Sequence, residues 1–141
     1  MPLDPKDTQA IVNLNGLYAH YVDHGEAEKW ADLFQPGGVW ERANASQAGG
    51  ERREPILLTT RAAMIDFAQG VFKAQRGLTR HVGINLVIEG DGTRATGRSN
   101  IVLVDAREPP IRIAIVVDID DEYQKTPQGW RFKRRTLHLM P

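Results

Sequence analysis

The sequence predicts an α+β fold, with helices concentrated in the first half of the chain and a curved antiparallel sheet in the second. Three observations predict it. Apolar residues recur at spacings of three and four before Gly77, β-branched runs broken by turn signals follow it, and no repeat or linker interrupts the 141 residues. Helices and strands segregated in this way pack as layers, the helices covering one face of the sheet. The length suits a single domain, residues 1–141, around one core.

The first helix is marked by Ile11, Leu14, Tyr18 and Tyr21, with Leu17 beside them, and Asp7 or Thr8 is placed to cap it. It halts at His24-Gly25, where glycine can take the left-handed conformation that closes a helix, so Asp23 falls at a C-terminus. A second, short helix is expected over about 26–34, burying Trp30, Leu33 and Phe34 and stopping before Pro36-Gly37-Gly38. Residues 39–42 read as a short strand, and 44–55, rich in Gly, Ala and charge, as a loop or irregular hairpin. Thr60 or Thr59 caps a third helix over about 61–75, whose apolar side is Met64, Ile65, Phe67, Ala68, Val71 and Phe72, and Gly77 ends it. Beyond it, runs at 79–89, 94–105, 111–123 and 129–140, with Gly90-Asp91-Gly92 and Pro109-Pro110 among the turn signals, read as a four-strand meander.

Charge and motif content narrow the function. Lys plus Arg number 18 and Asp plus Glu number 18, a formal charge of zero that removes the electrostatic case for a general nucleic-acid binder. With no cysteine, a disulfide framework, a thiolate metal site and a cysteine nucleophile are all excluded. The chain shows no GxGxxG after a strand, no GxxxxGK[ST] and no GxSxG, so nucleotide cofactors and serine hydrolysis have no local support. His20 and His24 lack the acidic partner of an HExxH helix, and the acidic run at Asp118, Asp120, Asp121 and Glu122 has no cage spacing; neither a metal nor a cofactor is expected. The N-terminus resembles neither a signal nor a transit peptide, and the longest strongly apolar stretch, 113–117, is five residues against the roughly 20 that span a bilayer. A cytoplasmic protein without a membrane segment is expected.

The polar residues that could carry chemistry are few. Asp23 faces the negative end of its helix dipole, so capping does not explain it; it is either solvated in the interhelix loop or held in a semi-buried mouth where it can orient an imidazole. Parity places His81, Gly83, Asn85 and Val87 on one strand face and Val82, Ile84, Leu86 and Ile88 on the other. The face with His and Asn either meets water or lines a polar cavity. Arg98, Asn100, Asp118, Asp120, Arg135 and His138 are further polar candidates, while Arg94, Arg131, Lys133 and Arg134 read as solvated strand positions.

Four segments in order carry a resemblance: residues 11–18 leading to Asp23, then Trp30-Ala31-Asp32-Leu33-Phe34, then 79–85 with His81, then Gly129-Trp130-Arg131-Phe132 with Arg135. Together they resemble the SnoaL-like branch of the NTF2-like superfamily, which includes scytalone dehydratase, hexachlorocyclohexane dehydrochlorinase and ketosteroid isomerase. The resemblance implies a cone, with three N-terminal helices packed on the curved sheet. It also implies that Asp23 and His81 meet inside the cone, because in the dehydratase and dehydrochlorinase an Asp in the first place orients a His in the second, the general base. The chain has Val22 and Trp40 where scytalone dehydratase has tyrosines, and it matches neither the acidic pair of ketosteroid isomerase nor the Asp, Arg, Asp set of limonene epoxide hydrolase.

The resulting expectation is a cofactor-independent lyase or isomerase, of dehydratase, dehydrohalogenase or cyclase type, acting on a small, largely apolar cyclic molecule. Asp23 would fix the tautomer of His81, which removes a proton from carbon; Tyr18, Asn85, Asn100 and Arg135 would orient substrate, and Trp40 and Phe67 would form apolar walls. The alternative is a non-catalytic binding or assembly module similar to the β subunits of ring-hydroxylating dioxygenases. Residues 111–119, aliphatic on both sides for much of their length, suit a sheet covered by helices on one face and by another subunit on the other, which implies a homodimer or homotrimer.

Overall fold

A computed structural model describes residues 3–48 and 50–140. Helix α1, Pro5–Asp23, starts nearly two turns before its apolar stripe, because Pro5 is tolerated in a first turn and Asp4 is the cap, accepting the main-chain N–H of Asp7 at 2.9 Å. Asp7 is therefore inside the helix, where it accepts Trp130 Nε1–H at 2.7 Å and Lys125 Nζ–H at 3.0 Å. The helix closes at His24, whose N–H reaches the His20 carbonyl, and Gly25 turns the chain with a φ of 75°.

The second helix is shorter than expected. Helix α2 covers only Ala27–Ala31, and Phe34 opens strand β1, Phe34–Arg42, instead of closing a helix. Pro36-Gly37-Gly38 is not a helix stop: it lies in β1, where the register against its neighbour slips between Phe34 and Val39. A strand absent from the sequence reading, β2, Ile56–Leu58, pairs antiparallel with β1. Helix α3, Arg61–Gln75, follows with Thr60 Oγ1 accepting the Ala63 N–H at 3.2 Å. The helices are thus not consecutive, since β1 and β2 separate α3 from the first two.

Strands β3, Thr79–Gly90, β4, Arg94–Asp105, β5, Arg112–Thr126, and β6, Gly129–Leu139, form the meander. The complete sheet has six strands in the order β2-β1-β6-β5-β4-β3, and β1 runs parallel to β6, so the sheet is mixed. The helices cover its inner face: α1 packs on β3 and β6, and α2 packs on α3. No helix of the described residues is long and apolar enough to cross a membrane.

A bulge in β3 breaks the parity assumed for that strand. Ile84 pairs with Asn100 and Val87 with Arg98, so Asn85 and Leu86 oppose the single residue Ser99, and Asn85 takes a positive φ of 58°. Before the bulge His81 and Gly83 sit opposite the buried Leu103 and Ile101; after it, Ile88 sits opposite Gly97. Gly97 tolerates no side chain, because a Cβ there would lie 2.7 Å from the Tyr123 hydroxyl. Val82 and Ile84, the aliphatic side of the strand, face outward and are exposed.

Candidate active site

Between α1, α3 and the inner sheet face lies a hollow with about 70 Å3 of space for the centres of water molecules. At about 10–15 Å3 per water, that is room for several waters or a small ligand. Trp40 from β1 and Phe67 from α3 form one wall, their ring centroids 4.6 Å apart. Tyr18 from α1 adds a hydroxyl that accepts Trp40 Nε1–H at 2.8 Å. His81 enters from β3.

Asp23 is not solvated; it is 5 % exposed. Its position at the negative end of α1 is unfavourable by itself, and two hydrogen bonds from a single residue offset that. Oδ2 accepts the main-chain N–H of His81 at 2.8 Å, and Oδ1 lies 2.5 Å from His81 Nδ1. An ionised carboxylate only accepts, so Nδ1 carries the proton and Nε2 of the neutral ring carries the lone pair. Nε2 has no hydrogen-bond partner among the described residues, and the imidazole stands edge-on to the Tyr18 ring, centroids 6.4 Å apart. The arrangement fixes the tautomer of an imidazole at the edge of the hollow.

Beneath Tyr18 runs a buried polar network. Arg135 donates through Nε and Nη2 to both oxygens of Asp121, at 2.8 Å each, and through Nη2 to Asn15 Oδ1 at 2.5 Å. Its guanidinium lies 4.3 Å from the Tyr18 ring centroid and 4.5 Å from that of Phe132. Tyr123 donates to Asp121 at 2.7 Å and accepts from Asn15 at 3.0 Å. Burial pushes the hydroxyls of Tyr18 and Tyr123 up from the usual phenol range, opposed by the charge of Arg135. The network fixes the floor of the hollow. Arg135 is therefore spent on Asp121 and Asn15 and does not line the space, contrary to the substrate-orienting place expected for it.

Asn85 and Asn100 also lie elsewhere. The bulge turns Asn85 to the outer sheet face, where its Nδ2 donates to Asn100 Oδ1 at 3.0 Å and Asn100 Nδ2 donates to Asp118 Oδ1 at 2.7 Å. Both line a wide, open trough of about 780 Å3, together with Arg98, Asp120 and His138. Of the residues singled out from the sequence, the structure brings Tyr18, Trp40, Phe67 and His81 to the hollow, with Asp23 behind the imidazole.

Three polar lining residues were missed, Gln75 at the end of α3 and two arginines. Arg42 shares a strand face with Trp40, two residues away, a signal that parity could have supplied. Arg53 comes from the irregular segment after β1, held by a bridge between Ser46 and Arg53, and no periodicity marks it. Burial holds both guanidinium pKa values below the usual arginine range.

Comparison with known proteins agrees with this architecture. No curated protein matches the chain. A protein of Novosphingobium aromaticivorans described as NTF2-like with a cystatin-like fold superposes with a TM-score of 0.82 at 23% identity, over 96% of this chain and 82% of that one. A presumptive scytalone dehydratase from the same organism gives 0.73 at 23%, over 95% and 84%. The β subunit of a presumptive aromatic-ring-hydroxylating dioxygenase, also from that organism, gives 0.73 at 20%, over 94% and 88%. These likenesses establish the fold, and the model of the SnoaL-like domain matches residues 5–136, nearly the whole chain. The chain belongs to the SnoaL-like family, with the cone fold of NTF2-like proteins.

Proposed function

We propose that this protein is a lyase or isomerase that needs only its own side chains to move a proton at carbon, with His81 as the base and Asp23 as the residue that positions it. The substrate is a small, largely apolar cyclic molecule lying against Trp40 and Phe67. One observation carries the reading: the two-point grip of Asp23 on His81, which leaves Nε2 as an unpartnered acceptor beside the hollow. In the reaction Nε2 takes the proton of an acidified C–H bond. The released electron pair either forms a C=C bond as a β-leaving group departs, or passes to an adjacent carbonyl oxygen as an enolate that Nε2 reprotonates at another carbon. Asp23 stabilises the imidazolium formed in between, as a buried carboxylate does in other His-based sites.

The test is turnover, and deuterium exchange from heavy water, of a panel of cyclic ketones, hydroxylated aromatics and halogenated rings. His81→Ala is expected to lower the rate on any accepted substrate by roughly 10²–10⁴-fold, the usual contribution of a general base. A rate untouched by that substitution removes His81 from the mechanism.

The outer sheet face favours a second, assembly role that is compatible with the first. Val82, Ile84, Ile111 and Ile113 are exposed apolar side chains, and Arg98 on β4 lies on the same face as Asp118 and Asp120 on β5. A two-fold axis through this face sets the apolar groups of two copies together and the arginine of one against the acids of the other. Light scattering on the purified protein is expected to give a dimer that Ile84→Lys dissociates; a wild-type monomer at tens of micromolar refutes it. Stable co-purification with a larger oxygenase subunit, with no turnover dependent on His81, favours the non-catalytic reading instead.

A further inference from the structure

Two buried donors on the wall of the hollow lack an acceptor. Among the described residues the buried side-chain atoms without a hydrogen-bond partner are Trp30 Nε1 and Arg53 Nη1, both donors and both on residues lining this space. Buried donors in folded proteins are almost always satisfied, so a pair left open in one cavity marks a place where water or ligand supplies the acceptor. The other tryptophans are satisfied: Trp40 donates to Tyr18 and Trp130 to Asp7.

Charge points the same way. Arg42 donates one hydrogen bond, at 3.1 Å, to the main-chain oxygen of Glu54, and its guanidinium lies 5.7 Å from the Trp40 ring centroid and 5.9 Å from that of Phe67. The Glu54 carboxylate itself faces Arg52. Glu51 lies 3.3 Å from Arg53, 2.5 Å from Arg107 and 3.9 Å from Arg112, and Asp105 binds Arg107 and Arg112 at 3.0 and 2.9 Å. Glu51 thus serves Arg53 and Arg107 together, and Arg42 has no carboxylate partner among the described residues. Arg42 and Arg53 both reach the hollow, and the charge of Arg53 adds to burial in lowering the pKa of Arg42.

We infer that the hollow takes a small apolar carboxylic acid, its carboxylate seated on Arg53 and Arg42 and its carbon skeleton lying along Trp40 and Phe67 toward His81. A carboxylate supplies the missing acceptors, sets a negative charge beside Arg42 and Arg53, and matches the planar guanidinium fork. This inference deepens the proposed function by naming its substrate class. It rests on that reading for the hollow being the ligand site, and not for the proton transfer.

The test compares binding of propionate, cyclohexanecarboxylate and benzoate with that of their primary amides, which have similar shape and no charge. Each titration is followed through the indole N–H of Trp30 and the guanidinium N–H signals. At least one acid is expected to bind roughly tenfold to a hundredfold tighter than its amide, the value of hydrogen bonds to a charged group. It should shift the Trp30 and Arg53 signals, and Arg53→Gln and Arg42→Gln should each reduce the preference. The inference is overturned if every acid and amide bind alike, if none binds at millimolar concentration, or if the preference survives both substitutions. The wild-type comparison stands even where a variant fails to fold. Equal binding of acids and amides alongside His81-dependent turnover removes this inference alone. Acid binding through Arg53 with no His81-dependent exchange removes the catalytic reading alone.

Discussion

Asp23→Asn replaces one oxygen of a carboxylate whose two oxygens each accept a hydrogen bond from His81, at 2.8 Å from the main-chain nitrogen and 2.5 Å from Nδ1. The amide has one oxygen for two donors. With that oxygen on the main-chain N–H, its NH2 faces Nδ1, which can accept only without a proton; the ring proton then moves to Nε2 and the base is lost. With the amide flipped, Nδ1 keeps its proton, but the NH2 abuts the main-chain N–H and a buried donor is left unmade, at about 1–3 kcal/mol. Asp23 is 5 % exposed, so water offers little relief and the wrong tautomer is favoured by roughly ten- to hundredfold. Loss of the charge that stabilises the imidazolium adds to this. The expected fall in kcat/KM is roughly 10³–10⁴-fold, about 4–5.5 kcal/mol. Nitrogen-15 correlation across the His81 ring at about pH 9, where a free imidazole is neutral, reads the tautomer without needing a substrate. It should show Nδ1–H in the wild type and Nε2–H in the variant. A variant ring that keeps its proton on Nδ1, or turnover within tenfold of wild type, refutes the reasoning.

Asp121→Ala leaves the Arg135 guanidinium, 1 % exposed, without its counter-ion and should cost about 3–5 kcal/mol in urea unfolding, whereas Arg135→Met with Asp121→Leu should recover much of it. Equal losses in the single and double variants contradict that account. The carboxyl pKa values of Asp7, Asp32, Asp91 and Asp105 are lowered in the folded state, Asp91 to about 2, chiefly by hydrogen bonds from Trp130, Arg61, the Arg94 N–H and Arg107 respectively. A lowered carboxyl pKa stabilises above its unfolded value, so unfolding midpoints should be flat down to about pH 4 and fall from there as these groups protonate; stability unchanged between about pH 4 and 2 is inconsistent with the lowered values.

Elements bounded by chemistry at both ends were legible in the sequence. Helix α3 has Thr60 before it, Gly77 after it and an apolar stripe between, and its extent matches the expectation. Phe34 was misread because its spacing from Trp30 also fits a helix; its place is decided by pairing with Phe132, almost a hundred residues away, which no local pattern encodes. The bulge at Asn85 was missed because parity was carried through a residue that can adopt a positive φ without being glycine. That single slip moved Asn85 from the hollow to the outer face, where Asn100, alternating with the buried Ile101 and Leu103 on β4, already lies. Asp23 and His81 were paired by resemblance, since nothing local to either residue shows the other. Arg53 had no signal of any kind beyond its charge.

The partnering of the arginines around the cone separates one held on several sides by the fold from one with an open donor. Arg135 is deeply buried and well partnered: two bonds to one carboxylate, one to an amide oxygen, and the rings of Tyr18 and Phe132 close to its guanidinium. Such a group is costly to disturb and has no reason to release its partners for a substrate, so its chemistry is structural even though it lies beneath the hollow. Arg53 is less buried yet less satisfied, with an orphaned Nη1 and a carboxylate shared with other arginines. A ligand oxygen would displace nothing at Arg53, whereas at Arg135 it would have to compete with Asp121. The distinction lies in the balance of donors and acceptors, and it explains why Arg135, singled out from the sequence, holds the floor of the hollow.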